Sequence, residues 1–100
     1  MSWKRTKVGS NAGEPVGVVI DGHHILVIPD GPRWWAIEDR CSHAGCRFTE
    51  DGEIDGLVAI CDCHGSEFDI RTGKAIAMPA YEPIRVYPVR TKDGHVEVGT

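Results

Sequence analysis

The chain has 100 residues, 41% of them hydrophobic, with 12 glycines, 6 prolines and a formal net charge of −4. That length suits one domain with a modest core and excludes a catalytic domain joined to a separate cofactor domain, while the acidic balance argues against nucleic acid as a partner. No internal repeat or low-complexity segment interrupts the chain, and no apolar run is long enough to span a bilayer. The opening residues Met1 to Lys7 are basic, but Val8-Gly9-Ser10-Asn11 follows where a signal peptide needs an apolar stretch, so a cytoplasmic, membrane-free protein is expected.

In chain order, short β-branched or aromatic runs read as strands at Val16–Ile20, His24–Ile28, Arg33–Ile37, Leu57–Ile60, Ile84–Val89 and His95–Val98. Asp21-Gly22 and Asp93-Gly94 are tight hairpin signals, because glycine relieves the cost of positive φ, and Asp30-Gly31-Pro32 is a further turn. No segment offers a long amphipathic helix. The expected class is all-β, with antiparallel sheets stacked as a sandwich or closed into a small barrel. Adjacent Trp34 and Trp35 should point to opposite faces, one into the core and one partly exposed. Trp3, Tyr81 and Tyr87 read as packing residues of the same kind, and His23, His24 and His95 as exposed strand-end residues.

On either side of the fourth of these runs the pattern changes. Cys41-Ser42-His43 forms a C-x-H box and Cys61-Asp62-Cys63-His64 a C-x2-H box, separated by the seventeen residues Ala44 to Ile60. That interval holds a loop, a strand pair and a return, enough to bring the boxes side by side. Iron bound to sulfide and thiolate on one side accepts imidazole on the other, so mixed boxes point to an electron carrier. A structural Cys2His2 zinc site could use the same four ligand types, although zinc sites usually pair cysteine with cysteine and histidine with histidine. No Ser-His-Asp set, catalytic carboxylate pair or phosphate-cradling loop competes with the boxes, so the chain is not read as an enzyme. From Glu38 to Arg71 nine acids face three arginines, an asymmetry that suits either a docking face for a basic partner or an ordinary solvated surface.

Cys41-Ser42-His43-Ala44-Gly45-Cys46 and Cys61-Asp62-Cys63-His64-Gly65-Ser66 resemble the two cluster loops of a Rieske [2Fe-2S] protein. Downstream, Phe68 to Ala75 and Pro79-Ala80-Tyr81-Glu82-Pro83 are similar to the small Rieske ferredoxins of oxygenase systems. The resemblance implies one Rieske domain over residues 1–100, with a cluster-binding subdomain of two loops at about 39–71 on a larger β base. By position it implies that Cys41 and Cys61 hold the inner iron of a [2Fe-2S] cluster and His43 and His64 the outer iron. It further implies a soluble one-electron carrier between a flavin-dependent, NAD(P)H-linked ferredoxin reductase and a terminal aromatic-ring oxygenase.

Cys46 and Cys63 depart from the oxygenase type. Rieske subunits of quinol-oxidising complexes join cysteines at matching places as a disulfide bracing both loops; the alternative is a pair of free thiols, since the cytosol disfavours disulfides. Ser66 matches a serine that in high-potential relatives donates a hydrogen bond to a bridging sulfide. Phe68 stands where those relatives have a tyrosine, and a phenyl ring donates no such bond. Asp62 replaces a proline and adds negative charge that favours the oxidised state. An intermediate or low potential is therefore expected, with a higher-potential carrier of a respiratory or quinol-linked chain as the other reading.

Overall fold

The computed structural model of the chain describes residues 2–42, 45–63, 65–78 and 80–100. Strands β1 (Trp3–Gly9), β2 (Val16–Ile20), β3 (His23–Asp30) and β4 (Arg33–Glu38) lead to a short helix, α1 (Phe48–Asp51). Then follow β5 (Gly52–Asp55), β6 (Val58–Cys61), β7 (Ser66–Asp69), β8 (Ala75–Ala77), β9 (Val86–Tyr87), β10 (Val89–Lys92) and β11 (His95–Gly99). They pair into three antiparallel sheets, ordered β1-β11-β10, β2-β3-β4-β9 and β5-β6-β7-β8.

The run Ile-Leu-Val-Ile in β3 is apolar without alternation because its sheet is covered on both faces. Ile25 and Val27 enter one core with Val18, Ile20, Trp34, Ala36, Val96 and Val98, between the first two sheets. Their neighbours Leu26 and Ile28 enter a second core with Ile37, Phe48, Ala59, Phe68 and Ile70, between the middle and third sheets. The tryptophan pair follows the same alternation. Trp34 is 6% exposed in the first core, and half-buried Trp35 packs against the second, its Nε1 donating to Asp30 Oδ2 at 3.0 Å.

The hairpins form where Asp-Gly stands. Asp21 and Gly22 take φ of 51° and 81°, and Asp93 and Gly94 take 52° and 78°, the paired positive angles of a two-residue turn whose twist matches its strands. Three differences from the sequence reading have physical causes. Strand β1 carries Thr6 rather than an apolar residue at an inward position, and its buried hydroxyl is satisfied by donating to the Val96 carbonyl at 2.8 Å. Strands β5, β7 and β8 are only 4, 4 and 3 residues long, too short to show a period. The run Ile84–Val89 is not one strand. Pro88 has no N–H to donate, the chain changes sheets there, and β9 pairs with β4 while β10 pairs with β11.

Candidate metal centre

The two boxes fold into loops of the same design. In the first, Gly45 N donates to the Cys41 carbonyl at 2.9 Å and Cys41 N donates to the Cys46 carbonyl at 2.7 Å. In the second, Gly65 N donates to the Cys61 carbonyl at 2.8 Å, and Cys61 pairs with Ser66 in the β6–β7 ladder. Each loop thus starts at a cysteine, closes on a glycine four residues later and pairs five residues later. The glycines are required by φ of 72° at Gly45 and 78° at Gly65. His43 and His64 lie outside the described residues.

Cys41 is 0% and Cys61 1% exposed, and both belong to the second core with Phe48 and Phe68. Cys46 and Cys63 are joined by a disulfide with a Cα–Cα distance of 6.8 Å, linking the first loop to the second. The sulfurs of Cys46, Cys61 and Cys63 lie within 4.8 Å of one another. Two of them are spent in the S–S bond and offer no thiolate, so within that trio only Cys61 could serve as a metal donor.

Other elements hold the loops in place. At the start of the first loop, the 3%-exposed Asp39 carboxylate accepts from Thr49 N at 3.2 Å and from Thr49 Oγ1 at 2.6 Å, pinning α1 against the end of β4. Gly52 pairs with Cys61, and a Cβ there would run into the Ile60 carbonyl and the Phe48 backbone. Beneath the loops Phe68 is fully buried and meets Phe48 edge-on, with centroids 5.8 Å apart. A strap at 80–84 is bonded to both loops: Ala80 N donates to Ser66 Oγ at 3.1 Å, and Ser42 Oγ donates to the Glu82 carbonyl at 2.7 Å. The strap's far end is fixed by Ile84 N donating to the Gly73 carbonyl at 2.9 Å, an approach that only glycine permits, because a Cβ on Gly73 would collide with Ile84 O.

These ties were invisible in the sequence because most run through backbone atoms, which carry no residue signature. The strap also corrects the reading of Tyr81. Buried Ala80 anchors the strap, which leaves Tyr81 79% and Met78 74% exposed. Near the loops the Asp69 carboxyl is held below its usual range. The cause is first the side-chain hydrogen bonds from Arg71, at 3.1 Å, and then the Arg71 N–H, at 2.9 Å.

Residues 4–88 match the Rieske [2Fe-2S] domain family. The chain belongs to that family. Its cofactor is therefore a Rieske-type [2Fe-2S] cluster, which displaces the zinc reading. The described donors fit that group: two thiols sealed in an apolar core, on twin loops locked together by a disulfide that removes the competing thiols. The chain is 42% identical over 85 residues to the anthranilate 1,2-dioxygenase ferredoxin subunit of Burkholderia cepacia, spanning 85% of this chain and 78% of that one. It is 39% identical over 77 residues to the ferredoxin component of the p-cumate 2,3-dioxygenase system of Pseudomonas putida. That match spans 77% of this chain and 65% of the relative, slightly under two thirds of its length. Among solved structures, the ferredoxin of carbazole 1,9a-dioxygenase from Nocardioides aromaticivorans superposes with a TM-score of 0.83 at 30% identity, covering 94% of this chain and 95% of that one. Among the described residues no helix is long and apolar enough to cross a membrane.

Proposed function

We propose that this chain is a non-catalytic one-electron carrier that takes electrons from a flavin-dependent, NAD(P)H-linked ferredoxin reductase and delivers them to a terminal aromatic-ring oxygenase. The observation that carries the reading is the pair of like-folded loops that bury Cys41 and Cys61 at one end of a β base. The relatives support the partner class: they are named as ferredoxin components of dioxygenase systems, and one structural neighbour, at 30% identity and a TM-score of 0.85, is a complex of an oxygenase with its ferredoxin.

In this reading residues 1–100 form one Rieske domain, with a cluster-binding subdomain at about 39–71. Cys41 and Cys61 supply the thiolates, and His43 and His64 the imidazoles. When bound, the [2Fe-2S] cluster takes up and gives back one electron. The residues around it exclude water, keep the two loops in register and set how favourable that uptake is. Ser66 Oγ accepts from Ala80 and keeps its own hydrogen to donate, as a tuning bond to sulfide requires. Exposed Tyr81, on the strap bonded to both loops, and exposed Met78 just before it give the same end an apolar contact surface for a protein partner.

A higher-potential carrier for a respiratory or quinol-linked chain is the second reading, favoured by the Cys46–Cys63 disulfide and by buried Ser66. Against it, Phe68 packs where a tyrosine would donate, so at most one of the two tuning bonds can form. A reduction-potential titration followed by electron paramagnetic resonance (EPR) and repeated across pH separates the two. Rieske potentials run from about −150 to +300 mV. A value at the low end, constant around neutral pH, is expected; a high, pH-dependent value would transfer the protein to the quinol-linked role.

A further inference from the structure

Arg40 stands immediately before the first cluster-loop cysteine, and its side chain folds back over that loop. The position a Cβ would take on Gly45 lies 3.3 Å from Arg40 Nη2, 3.4 Å from Nε and 3.8 Å from Cζ. The guanidinium therefore fills the space that the glycine leaves open. Gly45 is glycine because of its φ of 72°, and the Arg40 head group lies against it.

The other arginines have evident partners. Arg47 pairs with Glu50, Arg71 with Asp69, and Arg5 and Arg90 with Glu97. Arg33 and Arg85 stack on Trp35 and Tyr87. Arg40 makes no ion pair among the described residues, and the adjacent Asp39 carboxylate is engaged by Thr49. An unmatched positive charge is thus held against the backbone of a loop in an otherwise acidic half of the chain.

We propose that Arg40 sets the reduction potential of this protein upward, opposing the exposed carboxylate of Asp62 on the other loop. The inference rests on the ligand assignment given under Proposed function. Reduction would add one negative charge to a cluster held by these loops, and a nearby cation stabilises the more negative state, so the reduced form would gain relative to the oxidised one. Because the guanidinium is exposed, salt screens the effect.

The test compares purified, cluster-loaded wild type with Arg40→Gln, Arg40→Met and Arg40→Lys by potential titration at low and high ionic strength, with the EPR spectrum confirming an intact cluster. At an ambient potential that holds the wild type half reduced, the neutral variants are expected to show a reduced-to-oxidised ratio lower by ~3-fold. That gap should narrow at high salt, and Arg40→Lys should stay near the wild type. Neutral variants that load normally and titrate with the wild type would overturn the proposal. So would a gap that ignores salt, or loading that fails in both neutral variants and survives in Arg40→Lys, because either result makes Arg40 a loop-holding residue instead. A wild type that shows no Rieske signal would instead bring down the ligand assignment. The two failures are therefore distinguishable.

Discussion

The base and the cluster end of this molecule are stabilised in different ways. In the base, Ile25, Val27, Val96 and Val98 are all fully buried between two sheets, and the hairpins turn on Asp-Gly pairs with space around them. At the cluster end the strands are four residues or shorter, and the order comes from backbone bonds, close-approach glycines, a buried carboxylate and a disulfide. A base built on area tolerates local imperfection and loses stability in proportion to what is removed. An end built on a few specific ties loses its function when one of them goes. Substitutions that separate folding from cluster retention are therefore the informative ones.

The largest effect is expected from Cys61→Ser. With one thiolate removed, the variant should lose the visible absorption and EPR signal of the cluster, while its far-UV circular dichroism keeps the β signature, since the base core does not include Cys61. A Cys61→Ser protein with an unaltered Rieske signal would show that this residue is not a ligand. The counterpart in the base is Ile25→Ala. Deleting a fully buried side chain is expected to cost about 2–5 kcal/mol of unfolding free energy, yet the folded fraction should keep the wild-type spectrum and potential. A changed potential in Ile25→Ala would mean that the two ends are coupled more tightly than their separate cores suggest.

Glycines sharpen the same contrast. At Gly22 an added Cβ meets nothing within 4 Å, so Gly22→Ala brings only the left-handed backbone cost of about 1–2 kcal/mol. At Gly52 the backbone is extended, with φ of −159°, and the obstacle is the Ile60 carbonyl beside Cys61. Gly52→Ala is expected to cost about 1–3 kcal/mol and also to speed cluster loss, followed as bleaching of the visible band under mild denaturant. Equal bleaching rates in the two variants would remove the distinction between the ends.

The same contrast governs how much could be read from the sequence. Period and turn chemistry exposed β2, β3, β4, β6 and β11, because those strands bury regular apolar faces and two of their turns carry Asp-Gly. The cysteine and histidine boxes pointed to the family that the match over residues 4–88 shows, since few chemistries need thiolate and imidazole at that spacing. What stayed hidden has no side-chain signature. The strap is held by the Ala80 N–H and the Glu82 carbonyl, and nothing in Tyr81-Glu82-Pro83 announces a bond to Ser42. Asp39 looked like one more acid in an acidic stretch, whereas the fold buries it against Thr49. Arg40 likewise gains meaning only once Gly45 is seen beneath it.

The smallest effect is expected at the edge of the cluster end, where Asp69 and Arg71 form a local turn. Arg71 holds the Asp69 carboxyl below its ordinary value of 3.8, so the ionised form is favoured in the folded state. A depressed carboxylate contributes stability that is fully present above the unfolded-state pKa and disappears as pH falls through the lower, folded value. In Arg71→Met that contribution is removed. The wild type should therefore exceed the variant by a constant amount from pH 6 to 8, and the gap should shrink below about pH 4 and close in stronger acid. Denaturant melts of both proteins at each pH isolate the pair, because the acid lability of the cluster is common to the two. A gap that persists unchanged into strong acid would assign the role of Arg71 to packing of its aliphatic stem, leaving the carboxylate without a part in holding the turn.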